Sequence, residues 1–237
     1  MKLLIKLAWY SLSEKERNQV LQFLPILQQD AFQRLVTGKR DQYPPSFNSK
    51  KCIFVHIPKT AGTSVTDALF GTPRPRHRPL QWYEAMEPEL YKEYFKFAFV
   101  RNPWDRLVSG YHYVVNKKPK KQSEIEWINF FKGFDSFDDF VTRWLNEENV
   151  ERHILTLPQH RFVINKFGML GLDFVGRYET LQKDFPYVCE RLGVACELPY
   201  ENKAPRKEFR NYYTSQTRDI VAKVYTKDIE MFGYDFD

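Results

Sequence analysis

The chain has 237 residues, 43% of them hydrophobic and 28% charged, which excludes wholesale disorder and fits one domain with a full core, or one domain plus a small appendage. A net charge of +6 and a pI near 9.0 point to an anionic ligand, while the usual motifs of a nucleic-acid module are missing. No run approaches the ~20 apolar residues of a membrane span; the three cysteines, Cys52, Cys189 and Cys196, contain no Cys-x-x-Cys pair, so no disulfide framework or zinc site is implied and a reducing compartment is expected.

The first elements are helical. Residues 1–36 carry apolar side chains at helical spacing (Val20, Leu21, Leu24, Leu27, Phe32, Leu35), broken at Pro25. The opening Met1-Lys2-Leu3-Leu4-Ile5-Lys6 resembles a signal peptide, but Lys6 interrupts the apolar stretch and no small-residue cleavage site follows. An amphipathic helix docked on the main domain is expected, with a membrane surface as the alternative seat. Residues 38–51 are polar, contain Pro44-Pro45 and read as a linker. Residues 1–50 are thus a helical extension and linker, and residues 51–237 the main domain.

The main domain opens with Cys52-Ile53-Phe54-Val55-His56-Ile57, a short apolar run suited to a strand buried on both faces of a parallel sheet. Two more strands are predicted at Phe97–Val100 and Phe174–Tyr178. Helices are predicted over 64–70, 103–115, 136–146, 180–192 and 214–232. Strands alternating with helices imply an α/β domain with a parallel sheet. The basic run Lys117-Lys118-Pro119-Lys120-Lys121 reads equally as a solvated loop or as an attractor of acidic ligands.

The first strand runs into Pro58-Lys59-Thr60-Ala61-Gly62 and then into a helix starting at Thr63 or Ser64, with Ser64 and Asp67 at capping-box spacing. Strand, glycine-containing loop and helix N-terminus make an anion site, because the loop amides and the first-turn N–H groups point at the ligand. Thr60, Thr63 and Ser64 add hydroxyls and Lys59 a full charge. The lysine heads the loop rather than preceding the helix, which separates this motif from the magnesium-triphosphate loop Gly-x-x-x-x-Gly-Lys-Ser/Thr.

The segment Phe99-Val100-Arg101-Asn102-Pro103-Trp104-Asp105-Arg106-Leu107-Val108-Ser109 repeats the logic. Asn102 suits an N-cap and Pro103 the first helical position, which leaves Arg101 at the carboxyl end of a strand, where open α/β sheets bind ligands. Arg101 and Ser109 can grip a terminal phosphate through charge-assisted bonds. Arg106 is read evenly as a ligand contact or as a structural ion-pair partner.

Together these motifs closely resemble the family-2, carbohydrate sulfotransferases, which include Golgi enzymes and shorter bacterial relatives. The resemblance rests on His56–Ser64, on Phe99–Tyr111, on Gly176-Arg177-Tyr178-Glu179-Thr180-Leu181 and on the ending Tyr225–Tyr234, and covers roughly 51–237. It implies a P-loop-like three-layer fold with a central parallel sheet flanked by helices, 3′-phosphoadenosine-5′-phosphosulfate (PAPS) as donor, PAP as product, no metal, and a carbohydrate acceptor, including acidic glycans. Residues Lys59, Thr60, Ala61, Gly62, Thr63 and Ser64 would hold the 5′-phosphosulfate, with Lys59 stabilising the leaving phosphate. Arg101 and Ser109 would hold the 3′-phosphate, Tyr178 would border adenine, and the loop carrying Lys203 and Arg206 would close over the nucleotide. A cytoplasmic, bacterial-type soluble enzyme is expected, with peripheral membrane association as an option.

The hydroxyl attacking sulfur must lose a proton. His77, in Arg74-Pro75-Arg76-His77-Arg78-Pro79, is the first candidate for base, because the surrounding arginines would keep it neutral. His112 and His160 are the alternatives; His56 reads as a satisfied core histidine, and His153 has no assigned role. The competing functional readings are a P-loop kinase-like phosphotransferase and a non-catalytic binder of nucleotide or acidic glycan.

Overall fold

The structure is a computed structural model that describes residues 2–237 except 14–15, 18–19, 22–23, 25, 38–41, 72, 120–121 and 199–206. Three parallel strands form its sheet in the order β1 (Cys52–Phe54), β2 (Phe95–Val100), β3 (Phe174–Arg177). Cys52 pairs with Phe95, and Phe97 pairs with Phe54 on one side and Phe174 on the other. β2 is therefore central, and Phe97, Ala98, Phe99 and Val100 are fully buried, as a strand covered on both faces requires. β1 is shorter than its apolar run: the Val55 N–H still donates to Phe97 O at 2.9 Å, then the chain leaves the sheet toward the loop.

Helices flank this sheet. Before it come α1 (Lys2–Ser11), α2 (Ile26–Thr37) and α3 (Pro45–Lys50). Between β1 and β2 lie α4 (Gly62–Leu69), α5 (Leu80–Met86) and α6 (Pro88–Glu93). Between β2 and β3 lie α7 (Pro103–Val115), α8 (Gln122–Lys132), α9 (Phe137–Trp144) and α10 (His160–Val163). After β3 come α11 (Leu181–Arg191), α12 (Ser215–Val224) and α13 (Thr226–Phe232). One apolar cluster surrounds the sheet and a second, aromatic-rich one joins α7, α8, α9 and α12. Among the described residues no helix is long and apolar enough to cross a membrane.

Several expectations change. The helix at the N-terminus packs on α2, with Trp9 and Phe32 ring to ring at 5.4 Å, and Trp9, Leu21 and Val36 form a cluster of their own separate from the clusters of the main body. The expected linker is half helix, because Phe47 of α3 is fully buried against Phe70 and Tyr83. The single helix expected over 214–232 is two, broken at Tyr225, whose buried hydroxyl donates to Thr156 O at 2.5 Å. Cys189 and Cys196 form a disulfide, against the sequence expectation. After α11, Gly193 turns the chain at φ 65° and the Val194 N–H returns to Cys189 O at 3.0 Å, which brings Cys196 back beside Cys189.

Candidate active site

The carboxyl ends of the three strands open on a cleft of about 1180 Å³. Its walls carry Lys59, Ala61, Gly62, Thr63, His77, Arg101, Ser109 and Tyr178 of the predicted set. Position at the carboxyl ends follows from strand polarity in a parallel sheet, where the loops and the helix N-termini that follow strands gather on one side.

The first loop is built from backbone strain. Lys59 and Ala61 both hold left-handed φ angles, 70° and 63°, although neither is glycine. Such positions tend to store strain at functional sites, and left-handed residues in a turn make concave nests of N–H groups. Helix α4 starts at Gly62, with Ala61 as N-cap. This corrects the predicted capping box. Ser64 falls at the third helical position, buried, where its hydroxyl cannot cap, and Asp67 instead pairs with Arg74 at 2.9 Å. Thr60 is also turned away: it is fully buried and its hydroxyl donates to Ile57 O at 3.0 Å. Of the three predicted hydroxyls, Thr63 alone lines the cleft.

The second motif matches its sequence reading at the cap. The Asn102 side chain accepts from the N–H groups of Trp104 and Asp105 at 3.1 and 3.4 Å, and Pro103 opens α7. Arg101 is 4% exposed, pairs with Asp105 at 2.8 Å, and lies 3.9 Å over the ring of Tyr178. It also donates to Lys59 O at 3.0 Å. Arg106 is structural: it is buried, and it donates to Pro58 O and Leu157 O, both at 2.9 Å. Two arginines of the second motif thus clamp consecutive carbonyls of the first loop, which holds its strained backbone in place.

Two buried groups given no role by the sequence reading support this arrangement. Gln159 accepts from the Arg101 N–H at 2.9 Å and donates to Arg101 O at 2.8 Å. Asp228 accepts from the backbone N–H groups of Gln159 and His160 at 2.6 and 2.8 Å and from His160 Nδ1 at 2.7 Å. That bond makes His160 a structural partner of Asp228 and removes it from the candidate bases. His112 packs against Tyr212 at 4.9 Å, and His153 lies between Trp127 and Phe131 at 4.6 and 5.3 Å; neither lines the cleft.

His77 does line it. Its Nδ1 lies 2.7 Å from His56 O. A carbonyl can only accept, so Nδ1 carries the proton and Nε2 keeps its lone pair. Burial, then the neighbouring His56 and Arg106, lower its pKa to about 3, so the ring is neutral near pH 7. His56, assigned to the core from sequence, is buried as expected but also forms part of the cleft wall.

The predicted loop cations Lys203 and Arg206 lie outside the described residues. Just beyond them, Lys207 and Arg210 line the cleft. Three of the acids there are engaged: Asp105 with Arg101, Glu208 with Arg210 at 2.5 Å, and Glu179 with the Asn102 N–H at 2.7 Å and the Tyr234 hydroxyl at 2.9 Å. Glu179 and Tyr234 lie in segments that carry the resemblance, but nothing local to either marks it as a cleft residue; the pairing of β3 beside β2 brings Glu179 to Asn102, and Tyr234 reaches Glu179 from beyond α13.

A family model described as "Sulfotransferase family" matches residues 47–235. The chain belongs to the sulfotransferase family. Among curated proteins it is similar to carbohydrate sulfotransferase 10 of Xenopus laevis, 26% identical over 184 residues, covering 62% of this chain and 49% of that one. It is 29% identical over 169 residues to carbohydrate sulfotransferase 14 of Danio rerio, covering 60% of this chain and 44% of the relative. An uncharacterized protein of Archaeoglobus fulgidus is 30% identical over 112 residues, 46% of this chain and 77% of the other. The chain spans about half the length of the two carbohydrate sulfotransferases. No solved structure matches.

Proposed function

We propose that this sulfotransferase-family chain transfers the sulfuryl group of PAPS to a hydroxyl of a carbohydrate. The supporting observation is that one cleft collects Lys59 and the Ala61–Gly62 helix start with Arg101 and Ser109, and adds a neutral histidine. The residues fit the donor by chemistry: cations, hydroxyls and a helix N-terminus recognise phosphate and sulfate oxygens. PAPS supplies the sulfuryl group and a phosphate leaving group. The amides at Ala61–Gly62 and the Thr63 hydroxyl bind the 5′ end, Arg101 and Ser109 bind the 3′-phosphate, and the Tyr178 ring borders adenine. The carbohydrate class comes from the names of the two relatives above.

His77 Nε2 takes the proton of the acceptor hydroxyl as that oxygen bonds to sulfur. The sulfur–oxygen bond to the 5′-phosphate breaks, its electron pair stays on the phosphate, and Lys59 neutralises the charge developing there. The Lys59 ammonium sits 4.3 Å from the Tyr113 ring centre, a resting position on the cleft wall that a cation–π contact stabilises.

Transfer of labelled sulfate from PAPS to a glycan panel tests the reading. Lys59→Ala should lower kcat by about 10²-fold or more, the usual scale for one transition-state charge contact, while calorimetry still detects PAP binding. A variant as fast as the wild type would refute the role of Lys59, and ATP-dependent phosphorylation of the same panel would refute sulfotransfer.

A further inference from the structure

This inference deepens the reading just given and rests on it for the base. It concerns His56, which periodicity assigns to the core. Its ring is fixed from three sides. Nδ1 donates to Pro75 O at 3.0 Å, Phe54 stacks on the ring at 5.5 Å, and the His77 ring stands 4.1 Å away, tilted by 52°. The fourth side is Gly62: a Cβ there would come 2.0 Å from His56 Cδ2 and 2.1 Å from Nε2. The glycine of the anion loop thus leaves the room that this imidazole fills. The His56 carbonyl in turn accepts the Nδ1–H of His77 at 2.7 Å.

We propose that His56 is the positioning residue of the base: its carbonyl aims the Nε2 lone pair of His77 into the cleft, and its ring, 4.1 Å from that of His77, keeps the pair from carrying two positive charges. Two imidazolium rings at this separation repel, and burial weakens the screening that would relieve them. The charged groups that bear directly on the pair are basic, while the cleft acids Asp105, Glu179 and Glu208 are engaged with Arg101, Asn102 and Arg210. Arg106 bears on His77 from α7, Arg74 bears on His56 from the loop and is ion-paired with Asp67, and Lys59 shares the cleft wall. On the same loop, Arg78 is buried over the Trp82 ring at 4.8 Å and Arg76 is exposed.

A consequence follows for the order of events. Both rings stay neutral in the free protein, since burial leads the causes that lower each pKa. A proton on His77 becomes favourable only when negative charge enters the cleft, because a nearby anion stabilises imidazolium. The base is therefore armed by donor binding. The proton passes from the acceptor hydroxyl to Nε2 and leaves to solvent after product release; in acid, charge on His56 holds the His77 midpoint down.

Histidine-labelled NMR of the full chain tests this without relying on activity. The His77 signal is assigned by its loss in His77→Ala, and its midpoint is followed in the wild type and in His56→Gln, each with and without PAP. Glutamine retains a donor for Pro75 O and the backbone carbonyl for His77, but cannot carry charge. Saturating PAP should raise the wild-type midpoint by about one unit or more, and His56→Gln should raise it further, by roughly half a unit or more. The acid limb of kcat should move up with it, with PAP affinity within about twofold. An unchanged His77 midpoint in His56→Gln overturns the proposal even if activity falls, because packing alone would then explain the residue. His56→Phe preserves ring and volume if the glutamine variant does not fold; wild-type kcat and an unmoved pH profile in that protein overturn it equally. Failure of the wild type to bind PAP refutes the donor reading instead, and the two free proteins still decide the role of His56.

Discussion

Gly62→Ala isolates the fit between the anion loop and the histidine pair. The added methyl would meet the His56 ring at 2.0 Å, far inside contact distance. The ring cannot swing aside freely, because Pro75 O holds Nδ1 and the His77 and Phe54 rings flank it. Overpacking of this kind costs about 1–3 kcal/mol, and loss of the Pro75 hydrogen bond adds about 1 kcal/mol. Alanine returns about 1 kcal/mol through better helix propensity at the start of α4. The net expectation is destabilisation of about 1–3 kcal/mol, or a Tm lower by roughly 2–12 °C for a chain of this size. The effect on turnover should be larger than the effect on stability. Displacing His56 moves the carbonyl that orients His77, and a misplacement near 1 Å costs about 10²-fold in rate. Differential scanning calorimetry and transfer from labelled PAPS, both with a PAP-binding control, read the two effects. A Tm within about 1 °C of wild type together with unchanged kcat would show that the loop relaxes freely and that the argument from the glycine is wrong.

Other consequences are open to simpler tests. Arg106→Leu leaves the buried carbonyls of Pro58 and Leu157 without their donor; stability should fall by about 2–4 kcal/mol, seen as a lower urea midpoint, and an unchanged midpoint would remove Arg106 as the clamp of the loop. Burial holds His153 at about 4, below its value in the unfolded chain. Between there and ~6.5 the unfolded chain binds more protons, so stability is full above that window and is lost as pH falls through it. His153→Phe should flatten the fall of Tm with acid, by up to about 1.4 kcal/mol per pH unit; an unaltered slope contradicts the assignment. The disulfide between Cys189 and Cys196 closes a short loop. Cys196→Ser should cost roughly 2–3 kcal/mol by loop-closure entropy, and reductant should lower the wild-type Tm to match, while equal melting with and without reductant would count against the bond.

Local chemistry made much of this protein legible. The continuous apolar runs marked β1 and the buried part of β2, because a strand covered on both faces has no polar side to alternate. Asn102-Pro103 located the start of α7 to the residue, since cap and first-turn preferences act over three positions. Short helices such as α5 and α6 escaped, because six or seven residues carry too little periodicity to register. The start of α4 was misplaced by one or two residues for a related reason: Ser64 and Asp67 had capping-box spacing, but the backbone had already turned left-handed at Lys59 and Ala61.

Within the site, the division follows the range of the interactions. The order and spacing of residues placed Lys59, Gly62 and Arg101 just beyond strand ends and Ser109 on the helix that follows, since strand polarity and that helix are local properties. Only the tertiary structure could decide that Thr60 faces inward, that Arg106 binds a carbonyl of the first loop 48 residues away, and that His160 belongs to Asp228. It also turned His56 from a buried residue of β1's extension into a neighbour of His77, 21 residues on. Such contacts depend on where strands and loops meet in space, and a buried polar group must find a partner wherever the fold supplies one. Sequence alone thus located the cations that gather in the cleft; packing decided which histidine joins them and what keeps that histidine neutral.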